Sequence, residues 1–105
     1  MNWYRVGMIN EIPERKIWPI HVNHTDIFLL RAGEQIFAYL DQCSHQDIKL
    51  SEFGDILPNG QLICYAHGAC FDLPSGAPLC FPAEVGLKTF PIKIESQEVL
   101  VQLPI

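Results

Sequence analysis

Basic side chains are scarce: 7 Lys and Arg stand against 12 Asp and Glu in 105 residues, a formal net charge of −5 with histidine neutral. Counterion release from a phosphate backbone needs a positive stripe, and the chain has no Lys/Arg cluster, which argues against nucleic acid as a partner. Long apolar runs are missing as well. Stretches such as Ile27-Phe28-Leu29-Leu30 fall far short of the ~20 residues that span a bilayer. The first residues mix Asn2, Arg5, Asn10 and Glu11 with apolar neighbours, unlike the basic-then-apolar order of a signal peptide. The expectation is a cytoplasmic protein that touches neither membrane nor nucleic acid. Repeats, low-complexity tracts and linkers are absent, so residues 1–105 read as one domain. A chain this short buries only about two-thirds of its unfolded surface, so its core, drawn from 49% apolar residues, would gain from a metal or cofactor.

What is present alternates. Short apolar stretches separated by turn residues every eight to twelve positions indicate an all-β sandwich or barrel. Residues 17–22 read as a strand, Asn23-His24-Thr25-Asp26 as a turn and residues 27–31 as the return; Ala32-Gly33-Glu34-Gln35 leads into residues 36–40. Asn59-Gly60 marks a later hairpin before residues 61–64. Near the C-terminus Phe90, Ile92 and Ile94, then Val99, Val101 and Leu103, recur with a period of two, giving two half-buried strands joined at Ser96-Gln97. Residues 48–53 alone suit a short helical turn. The region 41–83, rich in Cys, His, Gly and Pro, reads as a loop-built insert on a base made from residues 1–40 and 84–105.

Four cysteines fall at 43, 64, 70 and 80. A cytosolic chain keeps them reduced, which turns attention from disulfides to thiolate chemistry and metal binding. Two motifs stand out, Cys43-Ser44-His45 and Cys64-Tyr65-Ala66-His67, with 18 residues between them. Structural zinc sites usually group like ligands in C-x₂₋₄-C and H-x₃₋₅-H pairs. Here each motif offers one sulfur and one imidazole nitrogen, a set that suits a two-iron centre with both thiolates on one iron and both imidazoles on the other. A Cys₃His zinc site using Cys43, Cys64, His67 and Cys70 is the rival, and it leaves His45 idle.

These motifs, continued by Gly68-Ala69-Cys70-Phe71-Asp72 and accompanied by Leu50-Ser51-Glu52, Gly76 and Pro82, resemble the Rieske ferredoxin family over residues 41–103. The resemblance implies an all-β, Rieske-type antiparallel sandwich with a loop-built cluster-binding subdomain, one [2Fe–2S] cluster per chain, and the ligands Cys43, His45, Cys64 and His67. In such a centre the charges of two ferric ions, two sulfides and two thiolates cancel, whereas four thiolates would leave about −2, so the mixed set raises the potential into the range of about −150 to +300 mV. The ferric charge also acidifies bound imidazoles, so the potential falls with pH once they deprotonate. Respiratory members of the family carry an inter-loop disulfide and two hydroxyl donors to sulfur; the matching positions here are Ile48 and Ala66, and Ala69 and Phe71. Without those donors the reduced state is less stabilised, which places this centre at the low end of the range.

By the same resemblance the chain is an electron carrier and no catalyst of its own. It would take electrons from a flavin-dependent NAD(P)H ferredoxin reductase and pass them to a terminal oxygenase, Rieske non-haem iron or di-iron, acting on aromatic hydrocarbons. Residues 43–52, CSHQDIKLSE, are closer to the ferredoxins of toluene-type monooxygenases, while His67-Gly68 is closer to the dioxygenase group. The alternatives are an accessory Rieske-like subunit of a larger oxidoreductase, of which the ligand-free nitrite reductase subunits are examples, and a zinc-binding structural module. The remaining features have plain readings. Cys70 and Cys80 are small hydrophobes with free thiols; His21 and His24 lie on the surface; Trp3, Trp18 and Phe90 belong to the core or base sheet. Pro78 and Pro82 match a loop that shields the cluster, and Asp47, Glu52, Asp55 and Glu84 form an acidic rim suited to brief, salt-sensitive encounters of a monomer with its partners.

Overall fold

The computed structural model describes residues 2–43, 48–66 and 68–104. Eleven strands among them form three antiparallel sheets. The first holds β1 (Asn2–Met8), β11 (Glu98–Leu103) and β10 (Ile92–Glu95) in the order β1-β11-β10. The second holds β2 (Trp18–Val22), β3 (Thr25–Ala32), β4 (Gln35–Leu40) and β9 (Thr89–Phe90) in sequence order. The third is built wholly within the insert: β5 (Gly54–Ile56), β6 (Leu62–Cys64), β7 (Ala69–Phe71) and β8 (Pro78–Cys80), preceded by one helical turn, α1 (Leu50–Phe53).

Hairpins follow local backbone chemistry. Asn23 and His24 both take positive φ, 46° and 63°, as do Ser96 and Gln97 at 51° and 71°. Two consecutive left-handed residues match the right-handed twist of the flanking strands, so each pair makes the tightest possible connection. The register that results sends alternate residues inward. Val99, Val101 and Leu103 of β11 meet Ile27 and Leu29 of β3, Ile36 and Ala38 of β4, and Phe90 in one buried cluster between the two base sheets. This is the sandwich the sequence pattern implies.

One expectation is refined. The insert is more than loops, because Leu62, Cys64, Ala69 and Phe71 form paired rungs of a sheet; its strands are only three residues long, too short for a visible alternation. The first strand, β1, has no distinct signal either, since only its pairing with β11 orders a mixed segment. Trp3 and Trp18 lie on base strands but remain substantially exposed, with the Lys93 ammonium 4.5 Å from the Trp3 ring centroid. Ile94, near the hairpin end of β10, is also exposed.

Candidate metal centre

The first motif begins where β4 ends. Asp41 donates its N–H to Asp26 O at 2.9 Å and Gln42 donates to Leu40 O at 2.8 Å, turning the chain off the sheet. Asp41 is 5% exposed, and its carboxylate accepts from the Ser51 backbone N–H at 2.8 Å and from Ser51 Oγ at 2.6 Å. A buried carboxylate needs such donors, and here they pin the strand end to α1. Cys43 follows, donating its N–H to Ile48 O at 2.9 Å. The Lys49 ammonium then reaches Asp26 at 3.1 Å, while His21 Nδ1 lies 2.7 Å from the other carboxylate oxygen. His21 and Lys49 hold the Asp26 carboxyl below its ordinary range, and Asp26 raises the Lys49 ammonium above its own.

The second motif begins at the end of β6. Cys64 pairs across the sheet with Ala69, Tyr65 donates to Phe53 O, and Gly68 donates to Cys64 O, both at 2.8 Å. Gly68 has φ 78°, a left-handed conformation that a side chain would strain. Cys43 and Cys64 are 1% and 0% exposed and sit in one buried cluster with Leu50, Leu62, Ala69, Phe71 and Leu87. Neither is in a disulfide. Thiols buried in one apolar cluster ionise only beside a strong positive charge, and the chemistry of this half of the expected ligand set fits a metal cluster. His45 and His67 lie outside the described residues, as does Asp47.

Cys70 and Cys80 are not free thiols: they form a disulfide with Cα atoms 4.8 Å apart. The cause is register, since the two residues are direct cross-strand partners on β7 and β8, a relation that reasoning from cellular compartment does not see. The pleat also removes Cys70 from the zinc alternative. Cys64 pairs with Ala69 and Ile63 with Cys70, so Cys64 and Cys70 project from opposite faces of the sheet. Ala69 and Phe71, the positions lacking a hydroxyl, are fully buried beside the thiols.

Glu52, Asp55 and Glu84 are exposed, as are His21 and His24. Exposed apolar groups accompany the acids: Phe53, Tyr65, Leu79, Phe81 and Val85, with Phe81 84% exposed. Sequence reasoning missed Asp41, Asp26 and Tyr39. The Tyr39 hydroxyl donates to Pro74 O at 2.9 Å, tying β4 to the loop after β7, and burial, followed by the nearby Asp72 charge, pushes its phenol well above the ordinary value. An acid placed two residues before the first cysteine was the available signal for Asp41. The Asp26–Lys49 and Tyr39–Pro74 contacts are long-range and left none.

Residues 2–91 match the family model of the Rieske [2Fe-2S] domain. The ferredoxin component of the naphthalene 1,2-dioxygenase/salicylate 5-hydroxylase systems of Ralstonia sp is 29% identical over 102 residues, covering 97% of this chain and 96% of that protein. The 3-phenylpropionate/cinnamic acid dioxygenase ferredoxin subunit of Escherichia coli (strain K12) is 31% identical over 104 residues, covering 99% and 96%. Among solved structures, a chain in a complex of reduced oxygenase and oxidized ferredoxin in carbazole 1,9a-dioxygenase superposes with a TM-score of 0.81 at 29% identity, covering 94% of this chain and 91% of that one.

Proposed function

Because the chain belongs to the Rieske [2Fe–2S] domain family, we propose that it is the ferredoxin component of a multicomponent aromatic ring-hydroxylating dioxygenase system, carrying single electrons to a terminal oxygenase. The observation that carries this reading is the buried pair Cys43 and Cys64, gathered in one apolar cluster and left out of any disulfide. In this reading Cys43 and Cys64 bind one iron, and His45 and His67 bind the other. A cluster held there supplies one reversible electron at a time.

The protein's part is to set the surroundings. Leu50, Leu62, Ala69 and Phe71 keep water from the sulfurs, and neither Ala69 nor Phe71 brings a hydroxyl to stabilise the extra negative charge of the reduced state. The potential belongs at the low end of the Rieske range, and a measured value above about +100 mV would contradict this account. Exposed Glu52, Asp55 and Glu84 favour brief, salt-sensitive encounters with partners, the terminal oxygenase on one side and a flavin-dependent NAD(P)H reductase on the other. The relatives named above support a dioxygenase over a di-iron monooxygenase. A single domain, 1–105, acting as a monomer in the cytoplasm completes the reading. No helix among the described residues is long and apolar enough to cross a membrane.

Metal and sulfide analysis tests it. A reddish-brown protein with about two irons and two acid-labile sulfides per chain is expected; a colourless protein with one zinc supports the structural module instead. His45→Cys tests the ligation, since a Rieske spectrum retained at unchanged potential would remove His45 from the ligand set.

A further inference from the structure

We propose that Cys70 and Cys80 constitute a second redox site, a reversible dithiol/disulfide pair that fastens the loop carrying Phe81 to the cluster-bearing sheet. The pairing is built in. The two residues face each other across β7 and β8 with Cα atoms 4.8 Å apart, inside the window a disulfide spans without backbone movement. The strand that the bond holds is a weak one. β8 is three residues long, lies at the sheet edge, shows a register irregularity against β7, and starts with Pro78, which has no N–H to give.

The root of the loop is secured separately. Gly76 is buried, and a Cβ there would lie 3.1 Å from Leu87 O; Leu87 in turn donates its N–H to Gly76 O at 2.8 Å. Farther out, Ala83 N–H bonds back to Cys80 O within the loop, and the Ala83 side chain packs against the cluster that holds Cys43 and Cys64. Leu79, Phe81 and Val85 expose their apolar surfaces there. The bond therefore adds a covalent tether at the β8 side of the loop, where Leu79 and Phe81 are presented.

Access favours exchange. Cys80 is half-buried and Cys70 almost fully buried, so a thiolate of an incoming dithiol attacks Cys80 Sγ, the S–S bond breaks, and Cys70 leaves as a thiolate and takes up a proton. The second thiol of the reductant then displaces Cys80, which is released as a thiol while the reductant closes to its cyclic disulfide. Two electrons and two protons pass to the protein. Neither new thiol joins the Cys43–Cys64 site, because Cys70 projects from the face opposite Cys64. The proposal thus stands apart from the identity of the metal cluster.

Anaerobic holoprotein treated with dithiothreitol provides the test. Alkylation under denaturing conditions should label two cysteines before treatment and four after it. Amide hydrogen exchange over residues 78–85 should accelerate about tenfold or more on reduction while β3 and β11 stay unchanged, and removal of the reductant with mild oxidation should restore the slow rates. Cys80→Ser should show the fast loop exchange without reductant. Four labelled cysteines in air-oxidised protein, or loop exchange indifferent to reduction and to Cys80→Ser, would overturn the proposal.

Discussion

Between the base sheets the packing is hydrocarbon throughout, from Ile27 and Leu29 to Val101 and Leu103. Beneath the third sheet, comparable burial holds two thiols and the Tyr39 phenol, with the buried Asp41 carboxylate two residues from Cys43 in the chain. The base gains its stability from apolar area, a non-directional force that needs no partner. Where base and insert meet, the interior also holds groups that require specific partners: Ser51 for Asp41, Pro74 O for Tyr39 of β4 and, in the proposed reading, a metal for the thiols. The first region is a self-sufficient platform and the second is conditional on what it binds.

The sharpest way to break this contrast is to remove iron. Cys64→Ser, or chelation of the wild type, should abolish bound iron and sulfide. Exchange protection across β5 to β8 should fall toward that of unfolded chain while β3, β4 and β11 stay protected, as amide exchange with peptide resolution would show. Uniform loss of protection would show that the base depends on the metal too. Next in size is Leu29→Ala, a cut in a fully buried base residue, expected to lower unfolding free energy by about 2–5 kcal/mol. The cluster potential should not move, and voltammetry on the surviving folded protein checks that.

Asp41→Ala strikes the joint between the regions. It leaves the Ser51 N–H and hydroxyl without their acceptor, at a cost of about 1–3 kcal/mol, with faster exchange at α1 and an accelerated loss of cluster on storage. Restoration by Asp41→Asn should be partial, because a neutral amide accepts less strongly than a carboxylate. The smallest effect belongs to the exposed Asp26–Lys49 contact. The Asp26 carboxyl is depressed on folding, so its contribution is present above the ordinary carboxylate range and is lost as pH falls through the folded value; Lys49 is raised, so its contribution holds at neutral pH and is lost as pH rises through the folded value. Asp26→Asn should flatten the acid limb slightly in a pH series of thermal melts, and added salt should mimic it.

Legibility followed the same division. The base was readable because a period of two runs for several rungs through Val99, Val101 and Leu103, and because each hairpin is short and local. The two cysteines of the candidate site were readable because sulfur is rare and its spacing from histidine is unusual. Of the insert sheet only β6 was readable, from the Asn59-Gly60 hairpin signal; three-residue strands such as β7 and β8 carry no period to read. Nor was the Cys70–Cys80 bond readable, as it depends on how β8 docks against β7. The contacts of Asp26 with Lys49 and of Tyr39 with Pro74 join residues far apart in the chain, and one-dimensional spacing records nothing of them.

The alternation along β7 constrains how this chain can change. A one-residue slip of β7 against β6 would swap its inward and outward positions, turning Cys70 toward the Cys43–Cys64 side and Ala69 and Phe71 out to water. Parity, more than composition, guards the separation of the two sulfur pairs.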